Sequence, residues 1–274
     1  MLGKELITVP RRYRAFLEVG DHGCGFLAVS EVETPRLVGA PLPFPDGMER
    51  VAALEETVYA NPLLLGDFAE TTIVLRGGRF MLVPGFVTDD SLACDLFRAQ
   101  YPVDNDLPPG ELLIDDWNGL GSRLVYEADS DELSFLRRTF NNPATRHPLS
   151  VLSLYFAARR EGCAASRMLL SVSDERADIV VLGRDGVLCA NSFPVSGPLD
   201  AAYYALAVRQ SLSLSPRDEL MLAGTSALRA SLTPVLRRGI SFVMPAIEPP
   251  AVLAAPKGIR ALPFELKVAP YANL

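Results

Sequence analysis

Residues 14–30 can be laid over residues 167–183 without a gap, at an offset of 153, and four of the seventeen pairs are identical: Arg14 with Arg167, Leu17 with Leu170, Val19 with Val172, Asp21 with Asp174. Each copy has the same local pattern. A run rich in β-branched residues is followed by a tight turn, a second such run, a third, and then a stretch with apolar residues at helical spacing. A repeated unit of this size predicts two halves of similar architecture. With 274 residues, 49% of them hydrophobic, each half has enough chain to bury its own core.

In the first half, strands are predicted at Tyr13–Val19 and Cys24–Ser30 around Gly20-Asp21-His22-Gly23, with a third near Arg36–Leu42. Asp46 reads as the cap of a helix, with Glu49 three positions on and Val51, Leu54 and Val58 along one face. Thr71–Leu75 and Arg79–Val83 read as strands around Arg76-Gly77-Gly78. Asp89 or Asp90 caps a helix carrying Leu92, Leu96 and Phe97, and Glu111–Trp117 and Ser122–Ala128 form a further strand pair.

The middle is helical, through Leu133, Leu136 and Phe140 and then from Pro148 to a stop at Gly162. A three-stranded meander follows over Arg167–Val172, Asp178–Leu182 and Val187–Asn191. Next come a helix from Pro198, a strand at Glu219–Ala223, a helix capped by Ser226 that Pro234 kinks or restarts at Thr233, and a strand at Ile240–Met244. The proline-rich tail Pro249–Leu274 reads as extended chain. The halves divide at 1–146, which carries a helical insertion, and 147–274.

The order βββαβαβ describes a ribonuclease-H-like unit, and two in tandem make the α/β superfold of actin, Hsp70 and the sugar kinases. On Leu82-Val83-Pro84, Asn191-Ser192-Phe193, Asp200 with Tyr203-Tyr204, and Leu220–Gly224, the chain resembles a family of uncharacterised bacterial proteins with an actin-like ATPase fold. It is more distantly similar to the actin-like components of pilus and secretion machinery. The resemblance implies this fold and a bacterial, cytoplasmic setting, and no particular reaction.

Composition narrows the classes of function. The formal net charge of −7 disfavours binding driven by phosphate neutralisation, so no nucleic-acid partner is expected. No run approaches the ~20 apolar residues of a membrane span. Met1–Arg14 carries Lys4, Glu5, Arg11, Arg12 and Arg14 and does not read as a secretory signal. Cys24, Cys94, Cys163 and Cys189 are dispersed, as reduced thiols of the cytoplasm would be, and with two histidines they predict no metal site.

Active members of the superfold hold ATP or ADP with Mg²⁺ between two hairpin turns whose amides face the phosphates. The first turn here offers Glu18, Gly20, Asp21, Gly23 and Gly25, with glutamate where those ATPases have aspartate. The same glycines also fit a plain hairpin that needs positive φ. The second offers Ser173 and Asp174, without the acid and glycine of the pattern. Gly224 and Thr225 stand where a glycine pair admits adenosine, and there they also read as an ordinary strand-to-helix turn.

Other constellations give less. Strand Thr71–Leu75 carries no acid for a two-metal nuclease, and His22 with Cys24 has no orienting acid beyond Asp21. Asp115 and Asp116 point to opposite faces of a strand, and Tyr203-Tyr204 place one ring inward and one outward. The reading is therefore a degenerate, non-hydrolysing interaction or regulatory module without catalytic residues, with a protein partner and a possible homodimer. At most it binds nucleotide weakly. The alternative is an active Mg-dependent ATPase or kinase-like phosphotransferase.

Overall fold

In the computed structural model, which describes residues 2–32, 34–102, 110–159, 166–173 and 175–274, the repeat appears as two five-stranded sheets of matching topology. The first half comprises β1 (Tyr13–Val19), β2 (Gly23–Ser30), β3 (Leu37–Pro43), α1 (Arg50–Tyr59), β4 (Glu70–Leu75), β5 (Phe80–Pro84), α2 (Asp90–Gln100), β6 (Glu111–Trp117), β7 (Ser122–Ala128), α3 (Ser130–Thr139) and β8 (Ala144–Arg146). The helix α4 (Pro148–Ala157) leads on to β9 (Arg167–Val172), β10 (Arg176–Gly183), β11 (Gly186–Pro194), α5 (Pro198–Ser211), β12 (Glu219–Ala223), α6 (Ser226–Leu236) and β13 (Val243–Pro245). The tail forms α7 (Pro250–Leu253), α8 (Lys257–Arg260) and α9 (Phe264–Val268).

The strand orders are β3-β2-β1-β4-β8 and β11-β10-β9-β12-β13, antiparallel within each meander and parallel beyond it. The repeat is kept in register: Arg14 of β1 lies opposite Glu70 of β4, as Arg167 of β9 lies opposite Glu219 of β12. β5, β7 and β6 form a separate antiparallel sheet inserted into the first half, so Thr71–Leu75 and Phe80–Pro84 do not pair across the Arg76-Gly77-Gly78 turn.

Both central strands are buried over most of their length, as a sheet covered on two faces requires. One core joins all three sheets. It includes Phe16 and Leu27 from the first sheet, Leu169 and Val180 from the second, Leu124 and Tyr126 from the insertion, and Leu149 and Leu152 of α4. Helix α4 is therefore apolar nearly all round.

Three local expectations are corrected. Glu49, not Asp46, caps α1, its carboxylate accepting from the amides of Val51 and Ala52. Thr225, not Ser226, caps α6, which runs through Pro234 without restarting at Thr233; that hydroxyl instead donates to the Arg229 carbonyl at 2.7 Å. The tail is helical rather than extended. Pro249 and Pro250, Pro256 and Pro263 stand at or next to the first residue of a short helix, where proline's fixed φ is favourable and its missing amide costs no bond. Leu262, Phe264, Leu266 and Val268 from this tail belong to the central core. The predicted stop at Gly162 and the thiol of Cys163 lie outside the described residues.

Candidate functional site

The interlobe seam is built from five polar side chains. Arg76, directly after β4, reaches across to β10 and grips Asp178 through both guanidinium nitrogens, at 3.0 and 2.8 Å. It also donates to Ser192 on β11 at 3.1 Å and lies 3.5 Å from Glu265 of α9. Glu18, near the end of β1, completes the group. Arg76 and Asp178 have side chains only 14% and 4% exposed, so the pair acts in a medium where charge is costly to strand.

Three acids share this one guanidinium. Burial raises the pKa of Asp178, but the charge and hydrogen bonds of Arg76 more than reverse it and hold it below the ordinary value. Burial, the neighbouring Glu265 charge and Asp178 push Glu18 well above it, and Glu265 is raised by burial and Asp178. One positive and one negative charge thus face each other, with Glu18 and Glu265 biased toward the protonated state.

The two hairpin turns that the repeat places at equivalent positions clasp one another. His22 Nε2 stands 2.9 Å from Glu175 Oε1, and Arg176 Nη2 is 3.4 Å from Asp21 Oδ2. Each turn is also closed on itself. The Gly20 amide donates to the Gly23 carbonyl at 2.9 Å, and the Gly20 carbonyl accepts from Arg50 Nη1 at 3.0 Å. The Ser173 amide donates to the Arg176 carbonyl at 2.9 Å, and Ser173 Oγ accepts from the Arg176 amide at 3.2 Å. Asp174 lies outside the described residues.

The glycines have packing reasons that the sequence did not reveal. None of Gly20, Gly23 and Gly25 has the positive φ expected of a glycine hairpin. A Cβ on Gly23 would come 2.6 Å from the Leu42 carbonyl oxygen of the neighbouring strand. One on Gly25 would come 2.5 Å from Leu266 Cδ2, so the surface beside the first turn is filled by α9. Gly224 does have positive φ, at +134°, and lies too close to the Val172 carbonyl for a side chain. Gly25→Ala is expected to cost about 1–2 kcal/mol, because the fully buried Leu266 must shift; urea unfolding measures it, and an unchanged midpoint would refute the close contact.

Of the nine sequence-selected residues, Ser173, Gly224 and Thr225 come together on a second-lobe cavity of about 600 Å³, roofed by α8 and α9. Gly20, Asp21, Gly23 and Gly25 do not line it, although Gly25 packs against Leu262 and Pro263, which do. Sequence reasoning missed Arg76 and Glu265. Their only signals were an arginine closing a strand and an acid in an apolar tail segment.

His147 caps α4, its Nδ1 accepting from the Leu149 amide at 3.1 Å. Its own amide donates to Asp115 Oδ2 at 2.7 Å. Asp115 is buried while Asp116 faces outward to Arg123, the opposite-face arrangement expected of adjacent strand residues. Likewise Tyr204 stacks on Phe193 at 4.4 Å while Tyr203 is exposed. Among the described residues no group of three or more His, Cys, Asp or Glu side chains could hold a metal ion, and no helix is long and apolar enough to cross a membrane.

Two matching sheets facing each other across a seam lined by paired hairpin turns define the actin-like ATPase fold. A Bacteroides thetaiotaomicron protein described as having this fold and unknown function superposes with a TM-score of 0.77 at 20% identity, over 89% of this chain and 93% of that one. A chain of the PilM–PilN type IV pilus biogenesis complex superposes with a TM-score of 0.61 at 18% identity, over 95% and 97%. No curated protein matches the sequence. Residues 8–240 match the model of a family described as protein of unknown function (DUF3822), and the chain belongs to that family.

Proposed function

We propose that this protein is a non-hydrolysing actin-like module of the bacterial cytoplasm that works by binding another protein. The observation that carries this reading is the mutual clasp of the two hairpin turns, His22 on Glu175 and Asp21 on Arg176, in the place where an ATPase of this fold would hold phosphates. An incoming triphosphate would have to break both pairs. It would then find the Gly20 and Ser173 amides already donating to Gly23 and Arg176. At the position of the first-turn acid, Glu18 is buried and biased toward the neutral form, poorly suited to organising Mg²⁺ through water. The PilM relative is found in a complex with a protein, PilN, which supports a protein partner here as well. A homodimer is a further form such a partner could take.

The expected result of titrating Mg·ATP to millimolar concentration is a flat thermal midpoint and no phosphate release above background. Ligand that bound the native state would raise the midpoint in proportion to its excess over Kd. The competing reading, an active Mg-dependent ATPase or phosphotransferase, is favoured by the cavity beside Ser173, Gly224 and Thr225. It requires a rise that Gly20→Val abolishes, and that result would overturn the proposal.

A further inference from the structure

Each of the three sheets has two edge strands, and an edge offers amides and carbonyls that another chain can pair with. Five of these edges carry something that blunts them. β3 contains Pro41 and Pro43, which have no amide to offer. β5 ends at Pro84, and its Phe80 carbonyl accepts from the Tyr101 hydroxyl at 3.1 Å. In β8 the Thr145 carbonyl accepts from the Arg146 guanidinium at 2.9 Å, in β11 the Ser192 amide donates to Asn191 Oδ1 at 2.9 Å, and in β13 the Val243 carbonyl accepts from Arg237 at 3.3 Å.

The remaining edge, β6, has none of these. The Gly85 amide donates to the Gly121 carbonyl and the Gly78 amide to that of Glu127, so odd-numbered residues of β7 bond toward β5 and even-numbered ones toward β6. Their partners on β6 are Glu111, Leu113, Asp115 and Trp117. Leu112, Ile114 and Asp116 therefore turn their amides and carbonyls away from the sheet, and among the described residues none of these groups has a hydrogen-bond partner. The open edge runs along a cavity of about 670 Å³, walled on its far side by Arg146, by Leu154, Ala157 and Ala158 of α4 and its C-cap, and by Asn273. Asp115, 3% exposed, lines the same cavity; its Oδ1 accepts no hydrogen bond, and Arg146 Nη1 stands 3.7 Å away.

We propose that a partner protein docks here by adding one extended segment to the open edge of β6. The free groups at Leu112, Ile114 and Asp116 call for a stretch of about five residues, roughly 17 Å long, with main-chain bonds at every second position. Side chains on its α4 side meet Leu154 and Ala157, which suits aliphatic residues there. A side-chain donor finds Asp115 Oδ1, whereas an acid would meet a carboxylate. A second copy of this chain does not fit the slot. Its own β6 carries α4 on one face, tied by the Trp117 Nε1 bond to Ser150 Oγ at 2.8 Å, and α2 on the other, where Ile114 packs with Phe97. A cavity of this volume admits a bare strand, not a strand between its helices. The inference rests on the reading of a protein-binding module and names the form in which the partner is held.

Selection from a phage-displayed library of random twelve-residue peptides, followed by fluorescence polarisation with the enriched peptides, tests it. The expected winners carry aliphatic residues at every second position and neither proline nor acid within that stretch. Binding should slow hydrogen exchange at the amides of Leu112, Ile114 and Asp116, read by NMR. Ile114→Pro deletes an outward amide without breaking a ladder bond, and Ala158→Trp narrows the cavity from an exposed position; each should weaken the peptide about fivefold or more. If the Ile114 variant does not fold, Asp116→Pro replaces it. No peptide enriched over bare support, affinity unchanged in both variants, or unchanged exchange at the three amides overturns the proposal. So does a dimer in sedimentation that the proline variant dissolves, since a second copy would then be the occupant. None of these outcomes alters the flat response to Mg·ATP, so failure at β6 and failure of the non-hydrolysing reading are told apart.

Discussion

Arg76→Met is expected to lower folding stability by about 3–5 kcal/mol, the cost of removing one partner of a buried ion pair. For a chain of this size that is a fall of roughly 10 °C in thermal midpoint. The loss follows from what remains. Asp178 would be left 4% exposed with only Ser192 and solvent-poor surroundings to answer its charge, and Glu265 and Glu18 would lose the same counter-charge. Methionine keeps much of the volume, so little of the effect would come from a cavity.

The second substitution separates charge from packing. Asp178→Asn in the Arg76→Met background should recover more than half of the loss, since the uncompensated charge is gone, and the coupling read from the double-mutant cycle should exceed 1 kcal/mol, as expected of contacting groups, by roughly twofold. A loss below about 1 kcal/mol for Arg76→Met would place the pair with ordinary surface ion pairs and remove its claim to hold the lobes together.

The pair also shows where sequence reading reaches and where it stops. The first two strands of each half were legible because the pattern that specifies them is local and the repeat supplied both twice; β1 and β9 begin and end where alternation and turn residues placed them, whereas the three-residue β8 was not foreseen and β13 starts three residues later than expected. Arg76 was not legible. An arginine before two glycines has the letters of a turn, and its partner Asp178 is 102 positions away, on a strand of the other lobe. Gly25 illustrates the same limit. Its glycine is required by Leu266, 241 residues on, in a tail whose prolines suggested extended chain. Proline forbids the interior of a helix but favours its first residue, and only the packed structure decides which of the two applies. The clasp of His22 and Glu175 is partly legible in hindsight, since the two residues are equivalent under the repeat.

Asp115 and His147, hydrogen-bonded neighbours buried behind the seam, are expected to hide each other's pH dependence. Burial pushes Asp115 up to about 6 from an ordinary 3.8, and burial, with Arg76 nearby, pushes His147 down to about 3 from 6.5. The raised acid contributes stability that is full below pH 3.8 and lost as pH rises through about 6. The depressed histidine contributes stability that is full above pH 6.5 and lost as pH falls toward about 3. Between pH 6 and 4 the two slopes, each about 1.4 kcal/mol per pH unit, have opposite sign and largely cancel. Removing either group should expose the other. Relative to the parent, Asp115→Asn should lose about 2–3 kcal/mol on going from pH 6 to 4, and His147→Asn, which keeps a cap for the Leu149 amide, should gain about as much. The double variant should track the parent's slope. Denaturant unfolding at pH 4, 5 and 6 measures all four proteins, and parallel profiles for the parent and the two single variants would show that neither group changes its proton affinity on folding.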